Sequence, residues 1–259
     1  YKRQYIMGIL NVTPDSFSDG GKFNQIDAAL KHAEEMIRDG ADVIDIGGES
    51  TRPGYTKISD EEETDRVVPV IEAVKKEFGI PISVDTYKSG VAEAAAQAGA
   101  DLINDIWGLK YDPHMSEVIA KSGLACCLMH NRDNTEYRNF MEDVKQDLRE
   151  TIALAKAAGI ADDKIILDPG VGFAKSYENN LEVIRRLKEF NELKYPVLLG
   201  TSRKSVIGLT LDLPAAERVE GTIVTTVMAV EAGCMFVRVH DVKENHRAIQ
   251  MAEAILDRK

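Results

Sequence analysis

Asp85, Asn104 and Asp168 each close a short apolar run, at Ile82–Val84, Leu102–Ile103 and Ile165–Leu167. Carboxylate and carboxamide groups on short side chains offer acceptors and, from Asn, a donor. A carboxylate facing a guanidine-like ring edge accepts two parallel hydrogen bonds, so this set suits a flat, hydrogen-bonding ring. Taken singly, each residue could instead cap the next helix or close a turn. A second set suits an anion. Ser202-Arg203-Lys204-Ser205 follows the run Val197–Leu199 and should open a helix, where free N–H groups and the helix dipole favour negative charge. Arg238 and His240 lie two apart in the run Phe236–Val239 and just beyond it, so strand alternation aims both to one side. Arginine suits phosphate or stacks on an aromatic ring. His240 can donate to phosphate, and Asn11 ends the first run, Tyr5–Leu10.

The elements that must position these residues repeat regularly. Apolar runs also cover Val43–Ile46, ending at Gly47–Glu49, and Ala125–Met129, ending at His130. Helical stretches separate all eight runs. Strand and helix alternating eight times is the pattern of a (β/α)8 TIM barrel, in which every strand is parallel and delivers its C-terminal end to one mouth. Glycines at Gly40, Gly99, Gly123, Gly159 and Gly233 punctuate the helix ends. The first helix is expected from about Asp27, as its cap, with Ala29, Leu30, Ala33, Met36 and Ile37 on one face. Two connections, Asn11 to Asn24 and Glu49 to Asp60, are long and rich in turn formers, and long loops at a barrel mouth act as lids. Asp105 points away from its neighbour Asn104 and reads as structural. His32, His114 and His246 read as surface or packing residues, and His130 as an intermediate case.

Composition narrows the function. The chain has 259 residues, 44% hydrophobic and 29% charged, which suits one barrel domain over 1–259 with no linker or low-complexity segment. A net charge of −11 and a pI near 5.0 argue against nucleic acid, and an anionic substrate needs a local cationic cluster. No run of about 18 apolar residues spans a membrane, and no signal sequence opens the chain. Cys126, Cys127 and Cys234 lack metal-ligand spacing and read as buried thiols in a reducing cytoplasm. There is no Gly-x-Gly-x-x-Gly after a strand, no P-loop and no HExxH. A magnesium ion would therefore ride on substrate phosphates, with Asn11 as one protein oxygen.

The segment Met7-Gly8-Ile9-Leu10-Asn11-Val12-Thr13-Pro14-Asp15-Ser16-Phe17-Ser18-Asp19-Gly20-Gly21 resembles the signature of the dihydropteroate synthase family. So do Gly48-Glu49-Ser50-Thr51-Arg52-Pro53-Gly54, Ser83-Val84-Asp85-Thr86, Ile103-Asn104-Asp105-Ile106 and Met129-His130. Leu167-Asp168-Pro169-Gly170, Gly172-Phe173, Ser202-Arg203-Lys204-Ser205 and Arg238-Val239-His240-Asp241 continue it, collinear over essentially the whole chain. The resemblance implies a transferase of folate biosynthesis that joins 4-aminobenzoate to 6-hydroxymethyl-7,8-dihydropterin pyrophosphate, releasing pyrophosphate with Mg²⁺ and forming 7,8-dihydropteroate. It implies pterin contacts from Asp85, Asn104, Asp168, Phe173, Gly200, Lys204 and Arg238. Pyrophosphate falls to Asn11, Arg238 and His240, with Asn11 near the metal. Aminobenzoate falls to Phe17, Thr51, Arg52, Pro53 and Ser205, and catalysis to Asp85, Lys204, Arg238 and His240. It also implies a cytoplasmic homodimer, for which the apolar content of Thr222–Ala232 is suited, and a sulfonamide-sensitive form, since Phe17 and Pro53 stand and nothing extra follows Ser205. Only Tyr1–Gln4 precede the first strand, so a less completely plugged barrel bottom, or a trimmed chain, is expected.

Three rivals stand beside this reading. A methyltetrahydrofolate-dependent methyltransferase shares the pterin-reading strand ends but should lack Ser16-Phe17-Ser18 and Ser202–Ser205. A non-catalytic paralogue should have lost Asp85, Lys204 or Arg238. A phosphate-binding barrel isomerase explains neither long connection.

Overall fold

Strand residues alternate between two apolar environments, and this alternation builds the barrel. Ile6, Leu10, Ile44, Ile46, Val84 and Ile103 face outward into one continuous core with the helices. Their neighbours Met7, Leu102, Cys127, Ile166 and Leu198 face inward and form a separate cluster inside the barrel. The computed structural model describes residues 3–13, 22–50 and 56–257. The strands are β1 (Tyr5–Asn11), β2 (Val43–Gly47), β3 (Ile82–Asp85), β4 (Leu102–Asp105), β5 (Ala125–Met129), β6 (Ile165–Asp168), β7 (Leu198–Leu199) and β8 (Phe236–Val239). All pair in parallel, in the order β6-β5-β4-β3-β2-β1-β8-β7. A bridge between Leu167 and Val197, and the Leu167 N–H donating to Pro196 O at 2.9 Å, close the ring between β6 and β7.

Around it, among the described residues, lie α1 (Lys22–Arg38), α2 (Asp60–Phe78), α3 (Ser89–Ala98), α4 (Met115–Ser122) and α5 (Phe140–Ala157). They are followed by α6 (Tyr177–Arg185), α7 (Ser205–Leu211), α8 (Val219–Ala232) and α9 (Val242–Ile255). Helix α2 shows the local logic. Ser59 Oγ accepts from the Glu62 N–H, Asp60–Glu63 set acidic charge in the first turn, and Gly79 at φ 61° closes the last.

Two expectations are corrected. Helix α1 begins at Lys22, so Asp27 is an exposed interior residue and not a cap, although Ala29, Ala33 and Met36 do face the core. At the start of the strands Phe236, Val43 and Ala125 pack, partly buried, on the inward apolar cluster. Gln4 adds a buried hydrogen bond to Cys234 O at 2.9 Å. The long connections span residues 12–21 and 48–59, but the one after β5, residues 130–139, is as long as the first. All three cysteines are buried and reduced.

Candidate active site

Asn11, Gly47, Asp85 and Asn104 are register neighbours across β1 to β4, so they form one row at the C-terminal rim. Asp168 ends β6 opposite Met129, and Gly200 follows β7. Asp85, Asn104 and Asp168 are all buried. Arg238 reaches from β8 across this mouth. Its Nε donates to Asp45 Oδ2 at 2.6 Å and its Nη2 to Asp85 Oδ2 at 2.7 Å. Asn104 Nδ2 lies 3.4 Å from the same Asp45 oxygen. Asp45 was not singled out from the sequence. Its one signal is that it interrupts an apolar run two residues before Gly47, on the inward-facing set.

A second half of the mouth centres on Gly200. A Cβ there would stand 3.6 Å from Asp168 Oδ2, 3.8 Å from Arg238 Cβ and 3.9 Å from Lys204 Nζ. Glycine thus leaves room beside an acceptor, a cation and the stem of Arg238. Asp168 Oδ1 is used by the Gly170 N–H at 2.7 Å, which leaves Oδ2 to face that space. Lys204 Nζ donates to Val171 O at 2.6 Å and stands 4.8 Å from the centre of the Phe173 ring.

The electrostatics follow from burial. Desolvation pushes Asp85 up to about 7, against the pull of Arg238 and with the help of Asp45. Burial likewise raises Asp168, against Lys204, and brings Lys204 down to about 8, against Asp168. Burial opposes the charge on Arg238, but Asp45 and Asp85 hold its guanidinium above the ordinary value. Asp45 and Asp85 thus share the one guanidinium of Arg238, whereas Asp168 feels both Lys204 and Lys175.

At the rim, the His240 N–H donates to Ser202 Oγ at 3.1 Å, and that oxygen lies 2.9 Å from His240 Nδ1. With the Ser202 hydroxyl donating to Nδ1, the ring proton is assigned to Nε2. Arg203, at φ 57°, is held by Asp241, its Nε donating to Oδ2 at 3.0 Å. Ser205 is exposed at the first turn of α7. Phe17, Thr51, Arg52 and Pro53 lie outside the described residues.

Two further clusters were not read from the sequence. Glu49 is turned from the mouth to Lys88 Nζ (2.8 Å), the Tyr87 hydroxyl (2.5 Å) and the Ile58 N–H (2.9 Å), and Lys88 also meets Glu63 at 2.7 Å. His130, left between two readings, is buried, with Nε2 2.9 Å from Asp147 and Nδ1 2.8 Å from Lys175 Nζ. Among the described residues no group of three or more His, Cys, Asp or Glu side chains could hold a metal ion. Asn11 Oδ1 and Asp85 Oδ2 both border Gly47, at 3.8 and 3.9 Å from where its Cβ would be. That donor set fits one protein oxygen on an ion carried by phosphates and does not make a protein cage.

A closed parallel barrel with a cation-bridged acidic mouth defines the class as a barrel enzyme acting on a small polar substrate. The family model for pterin-binding enzymes matches residues 7–240. The dihydropteroate synthase of Clostridium beijerinckii is 63% identical, over 99% of this chain and 96% of its own. That of Bacillus subtilis is 54% identical, over 99% and 90%. Dihydropteroate synthase of Clostridium difficile, solved in the presence of pteroic acid, superposes with a TM-score of 0.97 at 54% identity, covering 100% and 98% of the two chains. The Yersinia pestis enzyme, solved with a sulfonamide drug, gives 0.93 at 45% identity, covering 98% and 95%. The chain belongs to the pterin-binding enzyme family and, within it, to the dihydropteroate synthases. It is accordingly a transferase of folate biosynthesis, condensing 6-hydroxymethyl-7,8-dihydropterin pyrophosphate with 4-aminobenzoate to 7,8-dihydropteroate and pyrophosphate.

Proposed function

We propose that this reaction runs by departure of pyrophosphate ahead of attack by the amine. An aryl amine is a weak nucleophile, so breaking the bond between the exocyclic methylene and the pyrophosphate oxygen first lowers the barrier most. The electron pair leaves with pyrophosphate, the methylene becomes cationic, the amine nitrogen bonds to it, and the nitrogen then loses a proton. The observation that carries this reading is the acidic excess at the mouth, where Asp85 stands buried beside Asp45 with only Arg238 shared between them. Preorganised negative charge in a dry site stabilises a cation as it forms.

In this reading Asp168 Oδ2 and Asn104 read the pterin edge in the space that Gly200 leaves open, with Asp85 beyond them. Lys204, Phe173 and Arg238 flank the ring. Asn11, Arg238 and the Nε2–H of His240 face the pyrophosphate. Asn11 would supply the one protein oxygen for a Mg²⁺ ion carried by the substrate phosphates, which would withdraw charge from the leaving oxygens. Phe17, Thr51, Arg52, Pro53 and Ser205 complete the aminobenzoate pocket, which is also where a sulfonamide competes.

The remaining expectations belong to the same proposal. Residues 1–259 form one pterin-binding barrel domain working in the cytoplasm on small molecules. No described helix is long and apolar enough to cross a membrane. A homodimer would cover the apolar side chains exposed on α7 to α9, where Leu209, Val224 and Met251 are 68%, 60% and 63% exposed. The decisive experiment is an assay of pyrophosphate release. It should require the pterin pyrophosphate and Mg²⁺, with cleavage still detectable when aminobenzoate is left out; no cleavage without aminobenzoate, or full release without the metal, would refute the mechanism.

A further inference from the structure

Lys175 lies beyond β6, off the rim described above, yet its three ammonium hydrogens meet three acceptors. These are His130 Nδ1 at 2.8 Å, Gly170 O at 2.9 Å and Phe173 O at 3.1 Å. The imidazole is itself fixed. Its Nε2 faces Asp147 Oδ2 at 2.9 Å, and Asp147 is also paired with Arg132 and held well below the ordinary carboxylate range, so it accepts. The ring proton is therefore on Nε2, and the Nδ1 lone pair is left facing Lys175.

The backbone that Lys175 holds needs such an anchor. Gly170, Gly172 and Ala174 have φ values of 71°, 88° and 47°, so residues 170–174 follow neither a helix nor a strand. A Cβ on Gly170 would fall 2.0 Å from His130 O, which shows how closely the segment is laid on the end of β5. Asn180 Oδ1 holds the Gly172 N–H at 2.6 Å, and Lys175 ties down the carbonyls on either side. This segment is also what Lys204 rests on, through Val171 O and the Phe173 ring. We propose that Lys175 is a positioning residue: by tying Gly170 O and Phe173 O to the fixed lone pair of His130, it sets the place at which Lys204 meets the pterin. The inference rests on the pterin-binding reading above.

The test is calorimetric titration of a pterin lacking pyrophosphate. Lys175→Met should weaken binding ten- to fiftyfold at unchanged stoichiometry, with the aminobenzoate KM unmoved at saturating pterin pyrophosphate. In a Lys204→Met background the same change should cost less than twofold, because residues acting through one another are not additive. A wild-type Kd in Lys175→Met, or the same loss in both backgrounds, would overturn the proposal. Should Lys175→Met fail to fold, His130→Leu removes the Nδ1 acceptor together with the Nε2–H that Asp147 accepts, and Arg132 remains as the partner of Asp147. It should weaken pterin binding three- to tenfold, again through Lys204, and an unchanged Kd there would overturn the proposal equally. A wild-type protein that binds no pterin would instead bring down the functional reading, and this inference with it.

Discussion

Arg238 Nε and Asp45 Oδ2 meet at 2.6 Å across the barrel mouth, although β1 runs between the strands that carry them. The same guanidinium holds Asp85 through Nη2. One cation shared between two buried carboxylates cannot neutralise both, so the pair behaves as an acidic centre whose proton affinity depends on Asp45.

Asp45→Asn should therefore move Asp85 toward an ordinary carboxylate. The side chain keeps an oxygen for Arg238 Nε but loses the charge that helps burial push Asp85 up to about 7. Carbon NMR of labelled aspartates should show the Asp85 titration shifted to lower pH. A midpoint unchanged by the substitution would mean that the Asp45 charge is not felt at Asp85.

Asp168→Asn and His240→Ala should separate ring recognition from leaving-group handling. The amide places a donor where the ring edge also donates, and a lost charge-assisted pair costs about 2–4 kcal/mol. At about 1.4 kcal/mol per tenfold, that is roughly 30- to 1000-fold in binding of a pterin without phosphates. His240→Ala should leave that affinity nearly unchanged and slow pyrophosphate release. If both variants bind this ligand as wild type does, Asp168 does not face the ring.

Aminobenzoate should bind the free enzyme poorly and bind well once pyrophosphate and Mg²⁺ are present. The residues proposed for the pterin sit on strand ends, whereas those proposed for aminobenzoate fall largely in the connections after β1 and β2. Calorimetry with and without pyrophosphate, and again after chelation of the metal, reads this coupling directly. Equal affinities in all three conditions would exclude it.

His130 should make the fold acid-sensitive. Burial pushes its imidazole down to about 4, against Asp147 and with Lys175 and Arg132 nearby. An unfolded chain holds that proton up to an ordinary value near 6.5, so stability from this group is complete above about 6.5 and is lost as pH falls toward 4. The loss amounts to at most about 3 kcal/mol. Asp85, pushed up, contributes a slope of opposite sign, and Lys175, pushed down to about 7, titrates mostly above this window. Urea unfolding at pH 7.5 and 5 should show a smaller loss for His130→Gln than for wild type. Identical losses would place the acid sensitivity elsewhere.

Val224→Glu tests the apolar surface on α8. A charge at this exposed site should convert a homodimer to monomer in sedimentation at micromolar concentration while leaving the monomer folded. Wild type that sediments only as a monomer would contradict the dimer.

The eight strands, their parallel order and the rim positions of Asn11, Asp85, Asn104, Asp168, Arg238 and His240 were legible in the sequence. Strand alternation and glycine-closed helices are local properties, and in a parallel barrel the C-terminal ends can only converge. The start of α1 was misread because Asp27 has the chemistry of a cap but lies exposed inside a longer helix. Asp45 passed as part of an apolar run, since what makes its charge tolerable is Arg238, far along the chain and two strands away. Glu49 reads as a rim carboxylate until its partners Lys88 and Tyr87 are brought beside it. The meeting of His130, Asp147 and Lys175 was equally hidden, because three different elements contribute one residue each. Local pattern determined where the strands end and which residues they present. Only tertiary packing decided which buried charges share a partner, because desolvation and pairing depend on distances that sequence separation does not encode.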